Sequence, residues 1–250
     1  MSAWKPTAQH FLAACIAILA WKAAIAALGL GAFVLPQPES VIAEYCSLLS
    51  SGKLLQHTIP TLAETLAGCG IGAAFGMALG YALSKSRALE RMATPYVIAL
   101  NAMPIVCIAP LVTLWFGFGI ASKVVLCALI SFFPVFVNTF SAIKSIDSGL
   151  LRLFAVMRAT KTQLLYELEV PAALPGVFAG LKIAVVTAVV GAVVGEFVGS
   201  KEGLGHLIMY YSSFLQTSLV FAVILQLVIM SSALYYIADC AERRSQSWKR

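Results

Sequence analysis

Charge is what this sequence has least of. Over 250 residues it carries 17 Lys and Arg and 11 Asp and Glu, so 11% of positions are charged and 60% hydrophobic, where soluble domains run at about 25% and about 45–50%. That leaves too few charges to build a water-facing surface, and a mean hydropathy of +0.91 shows that the surplus is apolar. A soluble globular fold, a disordered chain and a secreted disulfide scaffold are excluded together. Cysteine spacing of the metal or redox kind is missing too. None of the six cysteines forms a CxxC pair, and Cys15, Cys69, Cys107, Cys127 and Cys240 lie in or beside apolar runs, as small core residues do. His10, His57 and His206 stand far apart in the chain, so no metal site is expected, and nothing in the sequence asks for a cofactor. There is no GxxxxGK(S/T) phosphate loop, nucleophile elbow or GxGxxG, so the chain is not expected to be an enzyme. Its net charge of +6 comes without a basic stripe interleaved with aromatics, which argues against nucleic acid as a partner.

What the chain has is apolar length. About 20 apolar residues form a helix that crosses about 30 Å of hydrocarbon, and six stretches qualify: 10–34, 59–83, 92–117, 122–143, 176–199 and 214–238. This predicts an all-α polytopic membrane protein of six transmembrane helices, one domain over 1–250, with lipid as its main solvent. Lys5 followed by an apolar run and Ala24-Ile25-Ala26 also has the outline of a cleavable signal peptide, yet the run continues to Val34, longer than a signal core. Cations collect on the cytoplasmic side of a membrane. Lys5, then Lys85, Arg87 and Arg91, then Lys144, Arg152, Arg158 and Lys161, then Arg243, Arg244, Lys249 and Arg250 fall on one side. Lys53, Lys123 and Lys201 fall on the other, so both termini are expected in the cytoplasm.

Small and helix-breaking residues suggest how the helices meet. Gly68, Gly72, Gly76 and Gly80 recur every four residues and predict a smooth ridge on the second helix, with Gly191, Gly195 and Gly199 forming a shorter one on the fifth. The alternative for such a ridge is a glycine-lined pore. Pro95, Pro104 and Pro110 interrupt the third stretch and Pro134 the fourth, and broken helices at membrane depth occur where protein or a cavity satisfies the freed backbone groups. Ionisable and amide residues inside apolar stretches are the pathway candidates: Glu64, Asn101, Asn138 and Glu196. The topology puts Glu64 and Glu196 near the outer face. In a pair of chains they would place four carboxylates around an outer vestibule, a field that disfavours anions. Interhelical hydrogen bonding is the alternative role for all four, and Lys22 is expected to face the bundle or an internal cavity.

The longest non-membrane segment, 144–175, has an ordered pattern. Leu150, Leu153, Phe154 and Met157 follow i, i+3, i+4, i+7, and Leu164, Leu165 and Leu168 begin another such face. Two short amphipathic helices are predicted, joined near Arg158 to Thr162, with the second ending at Val170-Pro171. Their apolar face must cover the base of the bundle or a partner protein.

The run Thr160-Lys161-Thr162-Gln163-Leu164-Leu165 followed by Val170-Pro171-Ala172-Ala173-Leu174-Pro175-Gly176 resembles the EAA loop of binding-protein-dependent ABC importer permeases. Upstream, Ala109-Pro110-Leu111, Leu114 to Gly119, Ser122-Lys123-Val124, Phe132-Phe133-Pro134, Val137-Asn138-Thr139 and Ser145-Ile146-Asp147 are similar to the same family. Downstream, so are Gly195-Glu196-Phe197-Val198-Gly199 and Gly203-Leu204-Gly205. The branch it resembles imports nitrate, sulfonates, taurine and bicarbonate, and includes importers of thiamine-pyrimidine precursors and riboflavin.

The resemblance implies a permease subunit in a bacterial inner membrane, working with two ATPase subunits, an extracytoplasmic solute-binding protein and a second permease copy, most simply as a homodimer. The cytoplasmic loop would be the coupling helix that docks into the ATPase, through Arg152, Leu153, Phe154, Met157, Arg158, Thr160, Lys161, Gln163 and Leu164. The substrate would be a vitamin precursor of the thiamine-pyrimidine or riboflavin kind, or a small anion. The sequence departs from the family's pattern where the loop glycine falls on Arg158 and the Glu-Ala-Ala on Arg152, Leu153 and Phe154. A non-glycine residue in a left-handed turn costs about 1–2 kcal/mol, so Arg158 puts that turn in doubt. A gated channel without an ATPase, or an intramembrane enzyme, are the alternatives.

Overall fold

The structure, a computed structural model, describes residues 16, 18–29, 31 and 33–245, and is helical throughout with no strand among them. In chain order the helices are α1 (Ile18–Leu28), α2 (Pro38–Ser50), α3 (Lys53–Ser84), α4 (Arg87–Ala102), α5 (Ile105–Phe116) and α6 (Ile120–Lys144). There follow α7 (Ser148–Val156), α8 (Lys161–Gln163), a π-helical turn (Leu164–Glu169), α9 (Val170–Phe197), α10 (Leu204–Ser213) and α11 (Thr217–Ser245). Among the described residues, four helices are long and apolar enough to cross a membrane, and α4 with α5 adds a fifth as a pair bent by 94°. Of the first expected span, α1 is described, while residues 1–15, 17, 30 and 32, including His10 and Cys15, lie outside the described residues. The helices α2 and α10, too short and mixed in character to stand out in the sequence, cap the end opposite α7.

The third expected span is thus two helices. Met103 precedes Pro104, whose ring disfavours helical backbone at the residue before it, and both have ψ of 121°. Pro95, Pro110 and Pro134 stay inside their helices. Of these prolines, only Pro104 coincides with a break.

The centre of the molecule is α6, gripped by α3 on one side and α9 on the other. A Cβ on Gly72 would lie 2.4 Å from the Ala128 carbonyl oxygen, and on Gly76 or Gly80 2.8 Å from those of Phe132 and Phe136. On Gly68 it would lie 2.2 Å from the Cys127 Cβ. The ridge is therefore filled by the backbone of α6, and no pore runs along it. On α9, Gly191 comes against the Cys127 Cα and Gly195 against the Lys123 side chain. Gly199 departs from the expected ridge: α9 ends at Phe197, and Gly199 sits in the turn beyond, at φ +148° against the Phe118 ring.

The 144–175 segment also differs from the prediction in one respect. Two short helices form, but the second does not stop at Val170-Pro171. It runs through the π turn into α9, giving one helical path from Lys161 to Phe197. Pro171 has no N–H to give to the turn before it, and the wide turn just ahead of it carries the chain through.

Candidate functional site

Two regions gather the chemistry, one at each end of the bundle. At the α7 end, the Asp147 carboxylate caps α7, accepting from the Gly149 and Leu150 N–H groups. The helix closes in a left-handed turn at Arg158, with φ +54°. Arg158 N–H bonds the Ala155 carbonyl at 3.1 Å and Ala159 N–H the Phe154 carbonyl at 3.1 Å, the paired closure that usually carries glycine. The turn is kept although an arginine occupies it. Thr160 then starts α8 with a reciprocal cap: its hydroxyl accepts from Gln163 N–H, and the Gln163 side chain accepts from Thr160 N–H at 2.8 Å.

This geometry leaves α7 without a buried residue. Leu150, Leu153, Val156 and Met157 are exposed, Val156 by 82%, and Phe154 and Leu164 are half-buried. Arg152, Arg158 and Lys161 surround this surface, all exposed, together with Thr160 and Gln163. The apolar side chains of α7 and the cations Arg152, Arg158 and Lys161 are thus left largely uncovered by the rest of the described chain.

At the other end, α3, α6, α9 and α10 meet at a buried polar cluster. Lys123 Nζ lies 3.1 Å from Glu64 Oε1 and donates to Ser200 Oγ at 2.7 Å. Glu196 accepts from the Thr61 hydroxyl at 2.6 Å and from Gly205 N–H, and Thr61 in turn accepts from Leu204 N–H at 2.8 Å. A carboxylate at the N-terminus of α10 is placed where the unpaired N–H groups and helix dipole favour it. Gly203, at φ +108°, has no room for a side chain beside Glu196. Glu64 and Glu196 are 2% and 1% exposed. Within this chain they are buried rather than lining a vestibule, and the buried Lys123 beside Glu64 offsets part of their charge. Lys123 was legible as an outer-side cation and as part of the family-like run Ser122-Lys123-Val124, but not as a buried partner of Glu64. Thr61 and Ser200 carried no signal in the sequence, and Gly203 and Gly205 only that of the family resemblance, because their partners in and beside the cluster lie 9 to 146 positions away. Beside the cluster the His57 and His206 rings stack at 6.0 Å, although the sequence left them scattered.

The remaining candidates separate. Asn138 donates to the Pro134 carbonyl at 2.8 Å and packs where Gly180 of α9 makes room, a helix-packing role. Asn101 is exposed at the α4/α5 break, in a cleft of about 220 Å³ lined also by Met103, Ile105, Phe132 and Phe133, with no charged group in its walls. Lys22 departs from expectation: it is exposed and pairs with Glu39 of α2. Among the described residues no group of three or more His, Cys, Asp or Glu side chains could hold a metal ion.

Comparison with known proteins places these features in context. Residues 70–249 match the family of binding-protein-dependent transport system inner membrane components. A riboflavin transport system permease protein, RibX of Chloroflexus aurantiacus, is 39% identical over 229 residues, covering 92% of this chain and 85% of its own. A putative aliphatic sulfonates transport permease protein, SsuC of Bacillus subtilis, is 32% identical over 96% of this chain and 87% of its own. The fold is similar to that in the inward-facing MetNI methionine ABC transporter, with a TM-score of 0.69 at 23% identity over 77% of this chain and 95% of that one.

Proposed function

The chain belongs to the binding-protein-dependent transport system inner membrane components, the permease subunits of ABC importers, and on that premise we propose how it is oriented, assembled and loaded. The α7 end faces the cytoplasm, with both termini. Lys85, Arg87, Arg91, Lys144, Arg152, Arg158, Lys161, Arg243 and Arg244 lie at that end, and the opposite end holds Lys53, Lys123 and Lys201, the imbalance that resists translocation. The whole chain acts as a single transmembrane domain, paired with a second copy and with two ATPase subunits. ATP is hydrolysed by those partners.

The observation that carries this reading is the uncovered apolar face of α7. Leu153, Phe154 and Met157 seat in a groove of the ATPase, and the Arg152, Arg158 and Lys161 rim meets acidic or polar groups around it. Thr160 and Gln163 act indirectly, by starting α8 at a fixed angle. Reversing the rim charge in the double variant Arg152→Glu, Arg158→Glu is expected to reduce co-purification of the ATPase. Unchanged co-purification and transport would overturn the assignment.

The neutral cleft at the α4/α5 break supports a vitamin-precursor substrate, because aromatic rings and one amide suit an uncharged heterocycle better than a sulfonate. The relatives named for aliphatic sulfonates favour a small anion as the second reading. Uptake of labelled riboflavin, a formylaminopyrimidine and an alkylsulfonate into proteoliposomes holding the complete transporter separates the two. Import of the sulfonate alone would remove the first.

A further inference from the structure

We propose that Glu169, set in the π turn and bonded to Tyr81 and Lys85, is a positioning residue for transport: the joint through which motion of the docking helices reaches the transmembrane core. The proposal rests on the docking of α7 and α8 and adds the element that transmits it.

The segment from Lys161 to Phe197 is one helical path of 37 residues. Its first turn belongs to the docking region and its remainder crosses the bundle, so a displacement of α8 is passed directly into α9. The one irregularity in that path is the π turn, Leu164–Glu169, in which the Val170 N–H reaches back to the Leu165 carbonyl. Wide turns of this kind are rare and recur at functional positions. Here the turn ends at a glutamate that is 2% exposed, while Glu167, two residues earlier in the same turn, is exposed.

Glu169 does not merely fill space. The Tyr81 hydroxyl donates to Oε2 at 3.0 Å and the Lys85 ammonium pairs with Oε1. The same ammonium stands 4.9 Å over the Tyr81 ring. Tyr81 is in the last turn of α3, and Lys85 is the residue that closes it. The buried carboxylate therefore ties the foot of α9 to the foot of α3, at the end of the bundle where the docking helices lie. From there the path is stiff, because α3 meets α6 backbone to backbone along Gly68 to Gly80. A pull on α8 reaches α9 by covalent continuity and α3 through Glu169, and α6 between them moves with both. Without Glu169, α9 would be moved while α3 and α6 were held only by packing.

The test uses the assembled transporter, with its ATPase and binding protein, in proteoliposomes. Glu169→Gln and Lys85→Met are expected to co-purify with the ATPase and to hydrolyse ATP, but to consume about tenfold more ATP per solute imported, the scale of a typical coupling between sites. The exchanged pair Lys85→Glu, Glu169→Lys is expected to restore most of the stoichiometry, and Glu167→Gln to leave it unchanged. Tyr81→Phe, which deletes one hydroxyl and keeps the ion pair, gives a smaller rise in the same direction and serves if the charge variants do not fold. Wild-type stoichiometry in Glu169→Gln would overturn the proposal. Loss of ATPase association in that variant would overturn it too, since Glu169 would then act on docking. The docking assignment itself fails separately, through unchanged association in Arg152→Glu, Arg158→Glu.

Discussion

Lys123 has the most consequential single environment in the molecule. It is 5% exposed, touches Glu64 and Ser200, and stands among helices that also bury Glu196. Desolvating three ionisable groups is costly, and removing one partner of a buried pair leaves an uncompensated charge at about 3–5 kcal/mol. Lys123→Met is therefore expected to lower the thermal midpoint in detergent markedly. Adding Glu64→Gln to it should recover part of the loss, because Glu196 keeps its own donors from Thr61 and Gly205. Equal midpoints for the single and double variants would show that the lysine contributes packing alone. The sequence left the two glutamates open between an outer vestibule and interhelical hydrogen bonding because burial of a charge has no local signature: Glu64 and Lys123 are neighbours only once α3 and α6 have packed. Arg158 is the converse case. The family's loop glycine marked the position, but the arginine there put a left-handed turn in doubt; the turn forms nonetheless, with the helix closure around it satisfying the Ala155 and Phe154 carbonyls.

At the level of elements, the glycine ridge was readable because its period matches the helix and its physical cause is local: a missing Cβ lets another backbone approach. Two glycines on α3 separate that cause from general helix propensity. Gly72 has the Ala128 carbonyl 2.4 Å from where a Cβ would be, whereas Gly70 has nothing within 4 Å. Gly72→Ala is expected to destabilise the fold by about 1–3 kcal/mol, as overpacking does. Gly70→Ala should be neutral or stabilising by up to about 1 kcal/mol, since alanine is the better helix former. Thermal unfolding of the two variants in the same detergent measures the contrast, and similar midpoints would remove α6 as the occupant of the ridge. The breaks were harder to read. Proline marks positions where a helix can bend, but Pro95, Pro110, Pro134 and Pro175 are carried inside helices and only Pro104 coincides with the 94° bend. What distinguishes it is the extended backbone at Met103 and Pro104 together, which depends on how α4 and α5 each pack on α6. The π turn before Pro171 was missed for the same reason: the proline signalled an end, and a wider turn allowed the helix to continue.

For the molecule as a whole, the scarcity of charge matters less than its placement. The cations of the α7 end and the anions they meet form inter-helix ties there, Lys85 with Glu169, Lys144 with Glu90, and Lys182 with Asp239 and Glu242. Arg243 joins the last of these through Asp239, while Arg152, Arg158 and Lys161 are exposed at the same end, where the proposed docking sets them against an ATPase. That orientation makes a prediction with the native cysteines. Cys46 is exposed on α2, at the end opposite α7, and Cys240 is exposed near the end of α11. Counting 23 residues from Thr217 at 1.5 Å each puts Cys240 about 34 Å along α11, just beyond a hydrocarbon core of about 30 Å. Two variants, each retaining one of these thiols with alanine at the other cysteines, should therefore differ in whole cells whose outer barrier has been permeabilised. A membrane-impermeant maleimide is expected to label Cys46 without disruption of the inner membrane and Cys240 only after it. The reverse pattern would turn the protein over, placing α7 and its basic rim outside, where no ATPase could reach them, and the docking surface, the Glu169 joint and the direction of import would all fall with it.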